Sequence, residues 1–184
     1  MELIKLKEIA QNTWLRSGGG PEKNGVCYYM CNFIESEKGI WTKFEKFEDG
    51  VNLAKNFTQG TAMMNTAKVQ NLRKAPQEGY ASVLGALENN RIYRGQLWVG
   101  KKGETSTLAN HEILIITGVG NSVAFFEPNF GFYQIVNADK DKNNRQSLEH
   151  FIAQLYSAAN YNVATFGYKN VRSINKSTPL GFTA

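Results

Sequence analysis

The stretch HEILIITGVGNSVAFFEPNFGFYQIVN, residues 111–137, decides the fold of this chain. It contains three apolar runs, HEILIITG, SVAFFEP and GFYQIVN, which are rich in the β-branched and aromatic residues typical of strands. Two short breaks, GVGN at 118–121 and NFG at 129–131, separate the runs and carry the glycine and asparagine that tight turns favour. The stretch therefore predicts three consecutive antiparallel strands.

The chain before this stretch reads mainly as helix, because its apolar residues recur at three- and four-residue spacing. A first helix is predicted within residues 2–16 and is ended by the glycine-rich break SGGGP. A second helix begins at Val26 and Cys27 and is stopped by Gly39. Residues 41–92 are predicted to be mostly helical, with stretches at 44–57 and 80–87.

Two further elements are predicted after the three strands. Apolar positions at 148–155 mark a helix, and residues 162–168 form a short strand. Helices followed by an antiparallel meander indicate an α+β fold. We expect one domain over 1–184, with a helical part at about 1–95 and a sheet part at about 96–184, because this length suits a single core.

Composition excludes several classes of function. The chain has 184 residues, is 42% hydrophobic and carries a formal net charge of +5, with its 21 basic residues dispersed along the sequence. The sequence has no block of basic residues interleaved with aromatic residues, so nothing in it indicates nucleic-acid binding. Contact with an acidic membrane surface is compatible with the net charge, but no sequence motif supports it. Neither a signal peptide nor a membrane-spanning run is visible. We expect a monomer.

The two cysteines, Cys27 and Cys31, have different predicted roles. Two residues one helical turn apart cannot serve as a disulfide framework, so both are expected to be free thiols. A thiol at a helix N-terminus lies where the backbone dipoles stabilise a thiolate, which makes Cys27 the candidate nucleophile. Cys31 lies one turn further in, where this effect has faded, and is predicted to pack in the core.

The two histidines are also distinguished by position. His111 begins the longest apolar strand and is the candidate general base, whereas His150 lies off the apolar face of its helix and is expected to be solvated. A metal site built from both histidines and both cysteines, Cys27 and Cys31, matches no zinc spacing. We therefore expect neither a metal nor another cofactor.

A third group is needed to orient the imidazole, and Glu127 ends the strand after His111. Adjacent antiparallel strands lie about 5 Å apart, so residues on a shared face at the open end of this hairpin can touch. Taken singly, a small buried cysteine, a core histidine and a strand-end carboxylate are ordinary features. Taken together, Cys27, His111 and Glu127 indicate a thiol hydrolase.

Three segments resemble the YopT/AvrPphB family of bacterial effector cysteine proteases: GVC at 25–27, HEI at 111–113 and FFEPNFG at 125–131. The resemblance implies a papain-like fold with a Cys-His-Asp triad, in which the third member falls at position 127. Glu127 stands where the family has aspartate and is longer by one carbon–carbon bond, about 1.5 Å. Asn129 is therefore kept as an alternative orienter of the histidine.

The resemblance also implies a function: a bacterial protease that cleaves a peptide bond in a host protein or in itself. Such a protein is delivered by a specialised secretion system, or as part of a larger toxin, and acts in the target-cell cytosol. Papain-like sites use a side-chain amide in the oxyanion hole, for which Asn24 and Gln11 are the candidates. A glutamine deamidase and an inactive binding module on the same fold remain the alternatives.

Overall fold

The computed structural model describes residues 1–9, 26–36, 41, 45–73 and 78–174. The described part of the chain contains strands and helices that we number in chain order. They are β1 (Glu2–Glu8), α1 (Val26–Glu35), α2 (Phe47–Lys55), α3 (Gly60–Asn71), β2 (Arg91–Lys101), β3 (His111–Thr117), β4 (Val123–Glu127), β5 (Gly131–Val136), α4 (Asn144–Ala158) and β6 (Tyr161–Ser173).

The strands form one antiparallel sheet with the spatial order β1-β5-β4-β3-β2-β6. The three strands predicted from residues 111–137 are confirmed as β3, β4 and β5, which lie side by side at its centre. Helices and an antiparallel sheet together confirm the predicted α+β class. No helix in the described part of the chain is both long and apolar enough to cross a bilayer.

Apolar cores lie on both faces of the sheet. Helices α1, α2 and α3 cover one face, where their buried side chains pack on alternate residues of the central strands, including Leu114, Ile116 and Phe126. Helix α4 covers the other face and packs on the intervening residues, including Ile113 and Phe125. Successive strand residues point to opposite faces. Burial on both sides explains why β3 reads as an uninterrupted apolar run.

The helix predicted within residues 2–16 is wrong where the structure describes it, because Glu2–Glu8 is the edge strand β1. Leu3 packs against the core on the α4 side, whereas Leu6 packs against the core on the opposite side. An edge strand that contributes to two cores places apolar residues three apart, which imitates helical spacing. Residues 10–16 lie outside the described residues.

The helix predicted at 80–87 is also wrong, and the strand β2 that follows it was missed. Residues 80–87 run beside the sheet without helical structure: Ala81 forms an isolated bridge with Tyr168. Strand β2 begins at Arg91, inside the part predicted as helical up to about residue 95. The final strand is longer than its predicted span of 162–168, because β6 pairs with β2 along most of its length.

The other helices agree with prediction. Helix α1 begins at Val26, next to Cys27, and α2 lies within the predicted 44–57. Helix α4 begins with a capping box, in which the side chain of Asn143 accepts from the backbone N–H of Gln146 and the side chain of Gln146 accepts from that of Asn143.

The turn between β4 and β5 lies at the same end of the sheet as the candidate site. The backbone N–H of Phe130 donates to the carbonyl of Glu127 at 2.9 Å. Gly131 follows with a φ of +132°, and a Cβ atom there would lie 2.1 Å from the carbonyl oxygen of Lys7 in β1. Only glycine accommodates both the backbone angle and the close approach of the edge strand.

Candidate active site

The start of α1 meets the start of β3 at one end of the sheet. Cys27 is the second residue of α1 and is 8% exposed, and His111 is the first residue of β3 and is 4% exposed. Both side chains line the same small cleft, and the thiol of Cys27 interacts electrostatically with the imidazole of His111. The thiol and the imidazole that the sequence singled out, 84 positions apart in the chain, are therefore direct neighbours.

His111 also contacts the predicted carboxylate. Its Nε2 atom lies 2.6 Å from Oε1 of Glu127, and both side chains are almost completely buried. Since Nε2 faces Glu127, Nδ1 is the ring nitrogen left for the thiol of Cys27. The structure thus brings Cys27, His111 and Glu127 together in one line of contacts.

Two opposing effects set the charge of the imidazole. Burial disfavours the charged form of His111, but the carboxylate of Glu127 and the thiol group of Cys27 outweigh this effect and raise the pKa of His111 to about 10. At neutral pH the ring therefore carries a proton on each nitrogen and can donate on both sides. An imidazolium next to a sulfur atom is the arrangement that stabilises a thiolate.

Asn129, the alternative orienter, makes contacts around the same carboxylate. Its backbone N–H donates to Oε1 of Glu127 at 3.1 Å, and its Nδ2 donates to the hydroxyl of Tyr156 at 2.9 Å. Glu127 is thus the residue bonded to the ring of His111, and Asn129 is bonded to Glu127. Tyr156 belongs to α4 and packs in the core on that side of the sheet.

Cys31 and His150 lie away from this line of contacts. The thiol of Cys31 is fully buried and faces the backbone carbonyl of Glu112 at 3.6 Å, and burial raises the pKa of Cys31 well above its ordinary value. His150 is exposed on α4, where its Nε2 lies 3.1 Å from the side-chain amide of Gln154. Within the described ranges, no group of three metal-ligating side chains is assembled.

The two oxyanion candidates, Asn24 and Gln11, lie outside the described residues. The backbone N–H of Cys27 lies in the first turn of α1, where helical N–H groups have no partner within the helix. This N–H is one donor that an oxyanion next to Cys27 would meet.

A small cleft opens at the thiol. Its volume is about 80 Å³, and its lining includes Cys27, His111, Glu112 and Gln96. A second cleft of about 360 Å³ shares Gln96 and Ala109 with the first and continues toward residues 78–82 and 165–167. The two clefts are therefore neighbours on either side of Gln96 and Ala109.

A buried ionic cluster joins α1 to the sheet, and the sequence pattern did not predict it. The guanidinium of Arg94 in β2 lies 2.6 Å from Oε1 of Glu35 in α1 and 2.6 Å from Oε2 of Glu112 in β3. The hydroxyl of Tyr80 donates to the same Glu112 oxygen at 2.9 Å. The sequence signal for this cluster was Arg94 itself, a charged residue within an otherwise apolar strand pattern, since a buried arginine requires acidic partners.

The described residues also reveal Tyr156, a buried tyrosine beside the carboxylate, which the apolar pattern of α4 did not identify as functional. Its signal was the residue type itself, because a tyrosine on a buried helix face needs a partner for its hydroxyl.

Comparisons of the whole chain with protein-family models, with curated proteins and with solved structures each found no match.

Proposed function

We propose that this chain is a papain-like cysteine protease of the YopT/AvrPphB type, which cleaves a peptide bond in a host protein or in itself. One observation carries the proposal: the ring of His111 shares a small cleft with the thiol of Cys27 and lies 2.6 Å from Oε1 of Glu127. A nucleophile, a base and an orienting group within hydrogen-bond reach of one another are the requirement of this chemistry.

The contacts assign a role to each residue. The thiolate of Cys27 attacks the carbonyl carbon, and the imidazolium of His111 gives its proton to the leaving amine, so that an acyl-enzyme and a free amine are formed. His111 then takes a proton from water, whose hydroxide attacks the thioester and releases the acid. Glu127 keeps the ring in the tautomer and orientation that both steps need.

The small cleft supports glutamine deamidation as a second candidate function. An opening of about 80 Å³ over Cys27 admits the end of a flexible side chain more readily than a backbone carbonyl within a folded segment. Attack on a side-chain amide uses the same three residues and releases ammonia in place of an amine. The difference lies in which carbonyl reaches the sulfur.

The test is incubation of the chain with host-cell lysate, with Cys27→Ala as the matched control. Proteomics of the products reads new peptide termini, and in the same run the conversion of glutamine to glutamate. The intact mass of the chain reports self-cleavage. New termini that require Cys27 support the protease, and glutamate formation that requires Cys27 supports the deamidase. Identical products from the two chains contradict both and leave a binding module on the same fold.

A further inference from the structure

Buried hydrogen-bonding groups surround the carboxylate of Glu127 unevenly. Its Oε1 accepts from His111 and from the backbone N–H of Asn129. Its Oε2 is buried and meets no hydrogen-bond donor at ordinary distance within the described part of the chain. A carboxylate oxygen buried without a donor is costly, so a neighbouring group able to supply one has a marked effect on this side chain.

Tyr156 is that neighbouring group. It lies in the last turn of α4 and is completely buried. Asn129 links it to Glu127, because the backbone N–H of Asn129 donates to Oε1 of Glu127 and its Nδ2 donates to the hydroxyl of Tyr156. The hydroxyl oxygen already accepts from Nδ2 of Asn129 at 2.9 Å, which leaves the hydroxyl proton free for the carboxylate. Burial and the charge of Glu127 raise the pKa of Tyr156 well above its ordinary value, so the hydroxyl remains a donor.

Aromatic contacts fix the ring of Tyr156 in place. Its centroid lies 6.0 Å from that of His111 and 5.1 Å from that of Phe130, both in edge-to-face geometry. The hydroxyl therefore has a defined direction, and the ring touches the imidazole that Glu127 orients.

We propose that Tyr156 is a positioning residue of the site: its hydroxyl, anchored by Asn129, directs its proton to Glu127 and holds that carboxylate against His111. This inference rests on the proposed function of Cys27 and His111. The longer side chain of a glutamate has more rotational freedom than that of an aspartate, and Tyr156 is the element that restricts it. Without the hydroxyl, the carboxylate turns away and the imidazole loses its fixed orientation toward Cys27.

The test measures the rate at which iodoacetamide modifies Cys27, which needs no knowledge of the substrate. At about pH 6, well below the ordinary thiol pKa of about 8.5, fast alkylation requires a thiolate stabilised by the imidazolium. At about pH 9 an ordinary thiol is ionised without help. Tyr156→Phe is expected to lower the rate at about pH 6 by about tenfold, the fold-change equivalent to about 1.4 kcal/mol, and to leave the rate at about pH 9 unchanged.

Tyr168→Phe is the matched control. Tyr168 donates to Oε2 of Glu149 at 2.6 Å, so this variant removes the hydroxyl of another buried tyrosine that faces a glutamate, one that lies on α4 outside the candidate site. It should lose thermal stability like Tyr156→Phe but keep the wild-type alkylation rate at both pH values. If Tyr156→Phe does not fold, Asn129→Ala removes the anchor of the hydroxyl and should lower the rate at about pH 6 alone.

Three outcomes decide against the inference. The inference is overturned if Tyr156→Phe keeps the wild-type rate of alkylation at about pH 6. The same result in a folded Asn129→Ala variant counts if Tyr156→Phe does not fold. An equal loss of rate at both pH values also overturns the inference, because it would mean a purely structural role. A wild-type chain that shows no fast alkylation at about pH 6 overturns the proposed activation of Cys27 itself, and the inference with it; this result is visible before any tyrosine variant is made.

Discussion

Glu127 reaches His111 across a diagonal of the sheet. Leu114 pairs with Phe126 in the β3–β4 register, so in its continuation Ile113 lies opposite Glu127 and His111 lies two residues beyond. Diagonal neighbours on one face of an antiparallel pair are about 7–8 Å apart at their backbones. The 2.6 Å contact between Nε2 and Oε1 therefore spans a distance that suits the long side chain of a glutamate.

Variants at Glu127 should separate the effects of reach and charge. Glu127→Ala is expected to lower turnover by about two orders of magnitude or more, because the imidazole loses its orienting partner. Glu127→Gln keeps the length and an acceptor oxygen but loses the charge that favours the imidazolium. Glu127→Asp keeps the charge but ends about 1.5 Å short. Each of these two variants should fall between the wild type and Glu127→Ala. Turnover is measured on the substrate that the lysate experiment identifies.

Asn129→Ala is the companion measurement at this end of the hairpin. Its backbone N–H remains available to Glu127, so its effect should be smaller than that of Glu127→Ala. Full turnover in both alanine variants would contradict the role of Glu127 and mean that another group holds His111.

The four cysteine and histidine positions should divide into two pairs. Cys27→Ala and His111→Ala should each abolish turnover, because the first removes the nucleophile and the second removes the group that transfers the proton. Cys31→Ala and His150→Ala should retain it, since the Cys31 thiol faces a carbonyl in the core and His150 is exposed. Circular dichroism confirms that each variant is folded. A folded but inactive His150→Ala would overturn the choice of base.

The ionic cluster around Arg94 should contribute to stability by joining α1 to the sheet. Arg94→Met leaves Glu112 buried without its cation and is expected to lower the free energy of unfolding by about 3–5 kcal/mol. The double variant Arg94→Met/Glu112→Gln removes the uncompensated charge and should be less destabilised than Arg94→Met alone. Urea denaturation measures both. A loss of less than about 1 kcal/mol in Arg94→Met, the range typical of exposed ion pairs, would contradict this role.

The raised pKa of His111 makes stability depend on pH. Below about pH 6.5 the imidazole is protonated in both the folded and the unfolded chain, and its contribution to stability is complete. As the pH rises toward about 10, the unfolded chain has released this proton and the folded chain gives it up, so the contribution is lost. The free energy of unfolding should therefore fall over this interval.

The control for this pH dependence is His111→Gln/Glu127→Gln, which keeps two hydrogen-bonding side chains of similar size but has no titrating group at either position. Its free energy of unfolding should vary less between about pH 6.5 and pH 10 than that of the wild type. Equal slopes for the two chains would mean that the imidazole of His111 is not held in its charged form by Glu127.

The central strands and the line from Cys27 to Glu127 were predictable because their signals are local. β3, β4 and β5 are adjacent in sequence, joined by short turns, so the distance between His111 and Glu127 follows from one hairpin. The position of Cys27 follows from the start of a helix with regular apolar spacing. No long-range information was needed for these predictions except the packing of α1 on β3.

The features that were predicted wrongly or missed depend on contacts between segments that are distant in the sequence. β1 pairs with β5 across more than 120 residues, and its Leu3 and Leu6 enter two different cores. β2 contains Arg94, whose burial depends on Glu35 and Glu112 in other elements. Tyr156 likewise becomes significant only when α4 lies on the sheet. Such residues look like surface or ordinary core positions until their partners are known.

His111 is expected to activate Cys27 and not Cys31. The most direct measurement compares the alkylation rates of the two thiols by iodoacetamide in the folded chain at near-neutral pH, with peptide mapping to separate them. We expect Cys27 to react at least about tenfold faster than Cys31, because an imidazole partner favours its reactive thiolate whereas burial keeps Cys31 protonated. In His111→Ala this advantage should largely disappear. Equal rates for the two thiols in the folded wild-type chain, or an advantage of Cys27 unchanged in His111→Ala, would contradict the account.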